Sequence, residues 1–337
     1  MKPTDLALHL TAFLGEYLPA QRNVSAHTVR AYRDAFTLLL RYCRDYRALP
    51  TQRLRLEDLD ASLVLDFLDY VVRERGCGPR TRNLRLTAVQ SFFRYLQTEE
   101  PGRMAHSQRI LAIPHQRCPQ PTVDYLSVDD LAAILAQPDL SSTGGFRDAV
   151  LLTVLYDTGA RVQELIDLSV GDVRLEAPAQ ARLFGKGRKT RVVPLLTRTA
   201  DLLGEYIQRH ELGRPEELRH PVFRNRSGGR LSRSGIRYIL EKHSAAARSH
   251  RPSVPLRVTP HTFRHTKAMH LLQAGNPAVI IRDILGHVDI RSTAIYARAD
   301  LETMRRALEK AAGPATTPAC KPSWQTNRDL LSWLRQL

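Results

Sequence analysis

The segment TPHTFRHTKAMH, residues 259–270, brings three histidines and an arginine close together. Thr259 is a good N-cap and Pro260 a good first helical residue, so His261, Arg264 and His265 fall at i, i+3 and i+4 on one face of a new helix. A helix N-terminus favours anions, because its first N–H groups lack partners and its dipole is positive there. An imidazole beside a guanidinium at such a place suits the binding of an anion and the movement of a proton next to it. On this stretch alone, a core histidine plus a surface arginine is an equally good account.

Three more stretches carry residues of this kind. DTGARVQELIDL sets Arg161 just after a glycine at the end of an apolar helix, where an arginine is hard to bury without an anionic partner. Glu164 or Asp167 would serve as that partner. ARLFGKGRKTRVVPL alternates in β fashion around residues 185–189, a hairpin with a basic tip that includes Lys186 and Lys189. ILGHVDIRSTAIY gives His287 after a helix-ending Gly286, with Tyr296 nine residues on. Taken singly, His287 reads as a capping residue and Tyr296 as a half-buried aromatic.

Helices must position most of these groups. Residues 1–99 read as four helices, 3–18, 27–46, 61–75 and 80–97. The second, after the cap candidate Ser25, has Val29, Tyr32, Phe36, Leu39, Leu40 and Cys43 at helical spacing. The fourth opens on Arg80, Arg82 and Arg85 and should bury Leu86, Val89, Phe92, Phe93 and Leu96. Its basic first turn suits phosphate contact or a solvated face about equally. From Pro101 to Val123 the chain has four prolines and no acidic residue, so a linker with no packed element is expected. A second region begins near YLSVDDLAAILAQ, capped by Ser127, and continues through a buried helix over 145–158 and the hairpin. Helices then dominate to about residue 312. A spacer of Pro, Thr and Ala over 313–322 precedes a short apolar stripe, Leu330, Leu331, Leu334 and Leu337.

Composition narrows the partner. The 337 residues are enough for two domains, and 50 Lys+Arg against 34 Asp+Glu leave a formal charge of +16, which favours a polyanion. Nucleic acid leads, ahead of an acidic membrane surface. Residues 219–257 hold ten basic residues against Glu241, so the excess is local; Arg230, Arg233 and Arg237 lie in it. The longest apolar run, 149–156, is far short of the ~20 residues a membrane span needs. The amphipathic N-terminus, with acids included, reads as a first helix and not a signal peptide. Cys43, Cys77, Cys118 and Cys320 have neither metal-ligand nor disulfide-framework spacing, which fits a reducing compartment; a cytoplasmic protein without a structural metal is expected.

Together, the chemical residues resemble the tyrosine recombinases, the phage-integrase and Xer family. TGARVQEL matches the first arginine motif at Arg161, GKGRKTRVVPL the hairpin lysine at Lys186, and HTFR the H-x-x-R box at His261 and Arg264. LGH matches at His287, and the nucleophile at Tyr296. Their order, and the intervals of 25, 75, 3, 23 and 9 residues, agree with that family. His265 fits the neighbouring "RH" pair, in a structural role. The resemblance is strong over 125–311 and looser before it. It implies a mainly α fold with a small β-hairpin or sheet. A helical SAM-like core-binding domain over 1–100 would be joined by a 101–123 linker to an α+β catalytic domain over 124–312. Residues 313–337 would form a tail with a possible subunit-docking helix.

The resemblance also implies a mechanism with a clear physical basis. Attack on a phosphodiester builds a more negative, pentacoordinate transition state, which fixed cations stabilise. Arg161 and Arg264 would clamp the non-bridging oxygens, helped by His261 and His287, with no metal or other cofactor. Tyr296, with an ordinary pKa of about 10, would lose its proton, His261 accepting it, and form a 3′-phosphotyrosyl bond. Lys186, with Lys189 as its rival, would protonate the leaving 5′-oxygen. A second 5′-hydroxyl reverses the step without ATP.

DNA contacts would come from Arg80, Arg82, Arg85, Lys189, Arg191, Arg230, Arg233 and Arg237. The partners implied are double-stranded DNA with inverted half-sites, gripped between the two domains, and three further subunits, identical or related. DLETMRRALEKAA or RDLLSWLRQL would be the helix exchanged between neighbours, unless it folds back on its own domain. Ala160 stands where a larger apolar residue is common, and the linker and tail are long. These favour an integrase or transposase of a mobile element over a housekeeping Xer role. A monomeric type IB-like topoisomerase and a non-catalytic DNA-binding protein are the alternatives.

Overall fold

The computed structural model describes residues 2–119, 124–185, 189–286 and 305. The chain divides into two compact units, Met1–Pro121 and Thr122–Leu337. Among the described residues, no helix is long and apolar enough to cross a membrane.

In the first unit α1 (Asp5–Ala12) runs on into a wider helical turn over Phe13–Gln21 that accommodates Pro19. It is followed by α2 (Ala26–Tyr46), α3 (Ala61–Arg73) and α4 (Pro79–Glu99). Thr4, Ser25 and Asp60 cap their helices by accepting from the N–H three residues on, which satisfies one orphan donor at each start. The expected stripes face inward: Phe36, Leu39 and Cys43 of α2 meet Leu86, Val89, Phe92, Phe93 and Leu96 of α4 in one core. Phe13, Phe36 and Phe92 pack edge to face at its centre, 5.3 to 6.4 Å between ring centroids.

The expectation of a linker without packed structure is corrected here. Residues Met104–Leu111 form α5, with Ser107 and Ile110 buried against α4, and Ile113 is buried just beyond it. The Gln90 amide donates to the carbonyls of Leu111 and Ile113 at 3.0 and 2.9 Å, and Asn83 exchanges hydrogen bonds with Gln116. The prolines are punctuation and not a breaker. Pro101 opens the turn before α5, and the next, Pro114, follows its end, which leaves a proline-free stretch long enough for two helical turns.

The second unit is built around α7 (Thr143–Thr158), whose Val150, Leu151, Leu152, Val154 and Leu155 are each fully buried. Packed with it are α6 (Val128–Leu135), capped by Ser127 as expected, and α8 (Val162–Asp167). Next come α9 (Thr197–Arg209), α10 (Arg233–His250), α11 (Pro260–Gln273) and α12 (Ala278–Leu285). Between α8 and α9 lies a three-stranded antiparallel sheet in the order β1 (Val173–Arg174), β2 (Gln180–Phe184), β3 (Thr190–Pro194). β2 and β3 are the expected hairpin, paired from Gln180 with Pro194 to Phe184 with Thr190. The fold is mainly α with this small sheet. The expected helix end near residue 312, the 313–322 spacer and the final apolar stripe lie outside the described residues.

Candidate active site

α11 begins as its sequence dictates. Thr259 Oγ1 accepts from the Thr262 N–H at 3.2 Å, Pro260 takes the first helical position, and His261 lies on the exposed first turn. One turn on, Arg264 is drawn inward and is 3% exposed. Its Nη1 donates to the Gly159 carbonyl at 2.6 Å and its Nη2 to the Leu285 carbonyl at 2.5 Å. The two helix-ending glycines therefore frame this arginine. Gly159 terminates α7 at φ +56, where a Cβ would sit 2.6 Å from the Leu285 side chain. Gly286 terminates α12 at φ +64, where a Cβ would sit 2.8 Å from Arg191 Cδ. Both positions need the left-handed backbone and the close approach that glycine alone gives cheaply.

Arg161 occupies the cap position of α8. Its backbone N–H donates to Glu164 Oε2 at 2.8 Å, its Nη1 to Glu164 Oε1 at 2.7 Å, and its Nη2 to the Gly286 carbonyl at 3.2 Å. Glu164 is thus the anionic partner anticipated for Arg161, and its side chain is only 2% exposed. The same carboxylate receives Arg191 Nη2 at 2.8 Å, while Arg191 Nε donates to the Ile284 carbonyl at 2.9 Å.

Three guanidinium groups from distant segments thereby hold three consecutive carbonyls, those of Ile284, Leu285 and Gly286. These belong to the C-terminus of α12, where carbonyls lack helical partners and the dipole is negative. In sequence, His287 follows Gly286 directly.

The electrostatics follow from the arrangement. Burial pushes the Glu164 carboxyl up, but hydrogen bonds from Arg191 and the Arg161 backbone outweigh it and hold the pKa below the ordinary value. His261 is shifted down, first by partial desolvation and then by the charges of Arg264 and Arg161, so it is neutral near pH 7. His265, whose ring is 6.3 Å from that of His261, is shifted down by burial and by His261 and Arg264. The hairpin reaches this cluster through Gly185, where a Cβ would lie 3.1 Å from Glu164 Oε1 and 3.6 Å from Arg161 Nη1. The Gly185 N–H donates to the Lys189 carbonyl at 2.7 Å.

Of the catalytic residues expected from sequence, Arg161, His261 and Arg264 are thus brought together; Lys186, His287 and Tyr296 lie outside the described residues. Of the expected DNA contacts, Arg80, Lys189, Arg230, Arg233 and Arg237 are exposed. Arg230 pairs with Asp167, Arg233 donates to Gln163, and Arg237 pairs with Glu241. Arg85 is half-buried, its Nε without a hydrogen-bond partner among the described residues.

Two of these expectations are corrected. Arg82 is 5% exposed and donates to the Pro114 carbonyl at 3.3 Å, because residues 82, 86, 89 and 93 share the inward face of α4. Arg191 is only 11% exposed at its side chain and holds Glu164, because it shares strand parity with buried Val193 and pairs with buried Leu183. That parity was the missed signal. The Glu164 carboxylate as a centre shared by two arginines was also missed; the i, i+3 spacing to Arg161 suggested only the single pair.

Comparison with known proteins gives the family. The profile of the phage integrase family matches residues 124–303, and that of the phage integrase N-terminal SAM-like domain matches residues 10–100. The y4rC protein of Sinorhizobium fredii, named as an integrase/recombinase, is 38% identical over 339 residues, covering 100% of this chain and 99% of that one. Tyrosine recombinase XerD of Listeria monocytogenes is 33% identical over 284 residues, covering 83% of this chain and 90% of that one. A structure of the Tn1549 transposon integrase in complex with transposon right end DNA has the same fold, with a TM-score of 0.67 at 18% identity over 90% of this chain and 99% of that one. The chain belongs to the phage integrase family, the tyrosine recombinases.

Proposed function

We propose that this protein is a site-specific recombinase that cleaves and rejoins duplex DNA through Tyr296, for the integration or transposition of a mobile element. One observation carries the reading at the level of chemistry: Arg161 and Arg264, from α8 and α11, meet at adjacent carbonyls of α12, with His261 beside them and its pKa lowered by partial burial and their charges. Cations so fixed suit a scissile phosphate, whose charge grows in the transition state. Their placement is set before substrate arrives, so little reorganisation accompanies the reaction.

In this reading the Tyr296 phenol oxygen attacks phosphorus and gives its proton to His261. The bond from phosphorus to the 5′-oxygen breaks, and Lys186, or Lys189 in its place, donates a proton to that oxygen. His287, directly after the carbonyl held by Arg161, joins the clamp. Rejoining runs the same steps backwards with another strand's 5′-hydroxyl, so the phosphotyrosyl bond conserves the energy and no cofactor is consumed. Residues 1–100 act as the DNA-gripping arm, 124–312 as the catalytic body, and 313–337 as the subunit-docking tail of a tetramer on inverted half-sites. The site of action is the cytoplasm. Full coverage of a named integrase/recombinase and the fold of a transposon integrase support the mobile-element role.

A nicked duplex cut from the end of the parent element traps covalent complexes, because the short downstream fragment that carries the new 5′-hydroxyl is lost and rejoining has no nucleophile. An SDS-stable protein–DNA adduct is expected, with none for Tyr296→Phe, and branched four-way junctions are expected from intact sites. No adduct on any cognate end indicates a binding protein instead. Adduct with relaxation of supercoils but no junctions indicates a topoisomerase.

A further inference from the structure

Arg191 sits on β3 among neighbours that give it no surface role. Its Nη2 donates to Glu164 Oε2 and its Nε to the Ile284 carbonyl, and its aliphatic stem lies against Gly286. Glu164 is consequently divided, with Oε1 on Arg161 and Oε2 on Arg191. The consequence is electrostatic. One carboxylate facing one arginine makes a neutral pair, whereas one facing two leaves a net positive charge, and Arg161, 32% exposed against 11% for Arg191, is the member open to a ligand.

Resting on the proposed strand-cleavage function, we propose that Arg191 is a positioning residue of the phosphate clamp. It neutralises Glu164 so that the charge of Arg161 remains available to the scissile phosphate, and it fixes the end of α12 whose carbonyls orient Arg161 and Arg264. It does not touch DNA. Its effect on the reaction passes through Arg161.

The test compares single-turnover adduct formation and DNA affinity for Arg191→Met, which keeps the volume, Arg191→Lys, which keeps the charge, and the double variant Arg191→Met with Glu164→Gln. Arg191→Met is expected to bind cognate DNA within about twofold of the parent with the same salt slope, since no phosphate contact is lost. Its cleavage rate is expected to fall on the order of 10²-fold, the scale of a misplaced catalytic group. Arg191→Lys should retain about tenfold more activity than Arg191→Met, because charge and not volume is the requirement.

The double variant removes both buried charges together, whereas the single change leaves Glu164 paired with Arg161 alone. It should recover roughly tenfold of the loss, because the freed Arg161 then faces no carboxylate. Parental cleavage by Arg191→Met overturns the inference. So does equal impairment of the Met and Lys variants with no recovery in the double variant, or a salt slope lowered by about one, the mark of a lost phosphate contact. Failure of the unaltered protein to form any adduct overturns the proposed function instead, so the two failures are distinct.

Discussion

At the scale of single residues, the chemistry turns on which groups are charged. His261 lies beside two arginines, and partial burial and their charges both lower its pKa from 6.5. The sign is favourable for a proton acceptor: a depressed pKa extends to lower pH the range in which the imidazole is neutral, whereas a raised one would fill it with a proton before the tyrosine could give one up. An NMR titration of the free protein should therefore find His261 with a midpoint below 6.5; a midpoint at or above 6.5 would remove it as the proposed acceptor. Of the catalytic residues that the family resemblance implied, Arg161, His261 and Arg264 lie in the described part of the chain and come together. What was not legible was which arginines face a ligand. Arg82 and Arg191 were grouped with exposed neighbours, and only helical phase and strand parity, combined with the packing of α4 and β3, turn them inward.

At the scale of elements, helix ends do the positioning. α7 and α12 each stop in a left-handed glycine, and the carbonyls exposed by those stops receive Arg264, while the last one receives Arg161. Gly159→Ala should accordingly cost at least the roughly 1–2 kcal/mol of a left-handed non-glycine residue, more if Leu285 cannot yield. Urea unfolding measures it directly. Unchanged stability would show that Gly159 is not held as described. The stripes of α2 and α4, the Ser25, Ser127 and Thr259 caps and the β2–β3 hairpin were all readable, since each follows from local periodicity or a single side-chain hydrogen bond. α5 was not, because proline count over a segment says less than proline placement. With Pro101 before the helix and Pro114 after it, Ile110 is free to dock and Gln90 to hold the carbonyls that follow.

At the scale of the whole molecule, a formal charge of +16 ensures attraction to a polyanion but chooses no phosphate. The choice comes from the fold of the second unit, which gathers Gly159 to Glu164, Arg191, His261 to Arg264 and Ile284 to Gly286 into one place. Long-range packing of this kind is invisible to periodicity; the resemblance to a family anticipated Arg161, His261 and Arg264, whereas the part of Arg191 and the shared Glu164 emerge only from the geometry. The most direct measurement of the central claim is the single-turnover rate of covalent adduct formation by Arg161→Ala on a nicked cognate duplex at saturating protein. A clamp that stabilises the growing phosphate charge requires a loss on the order of 10²–10³-fold relative to the parent. A rate equal to the parent's would mean that the converging arginines do not act on the scissile phosphate, and the account would be wrong.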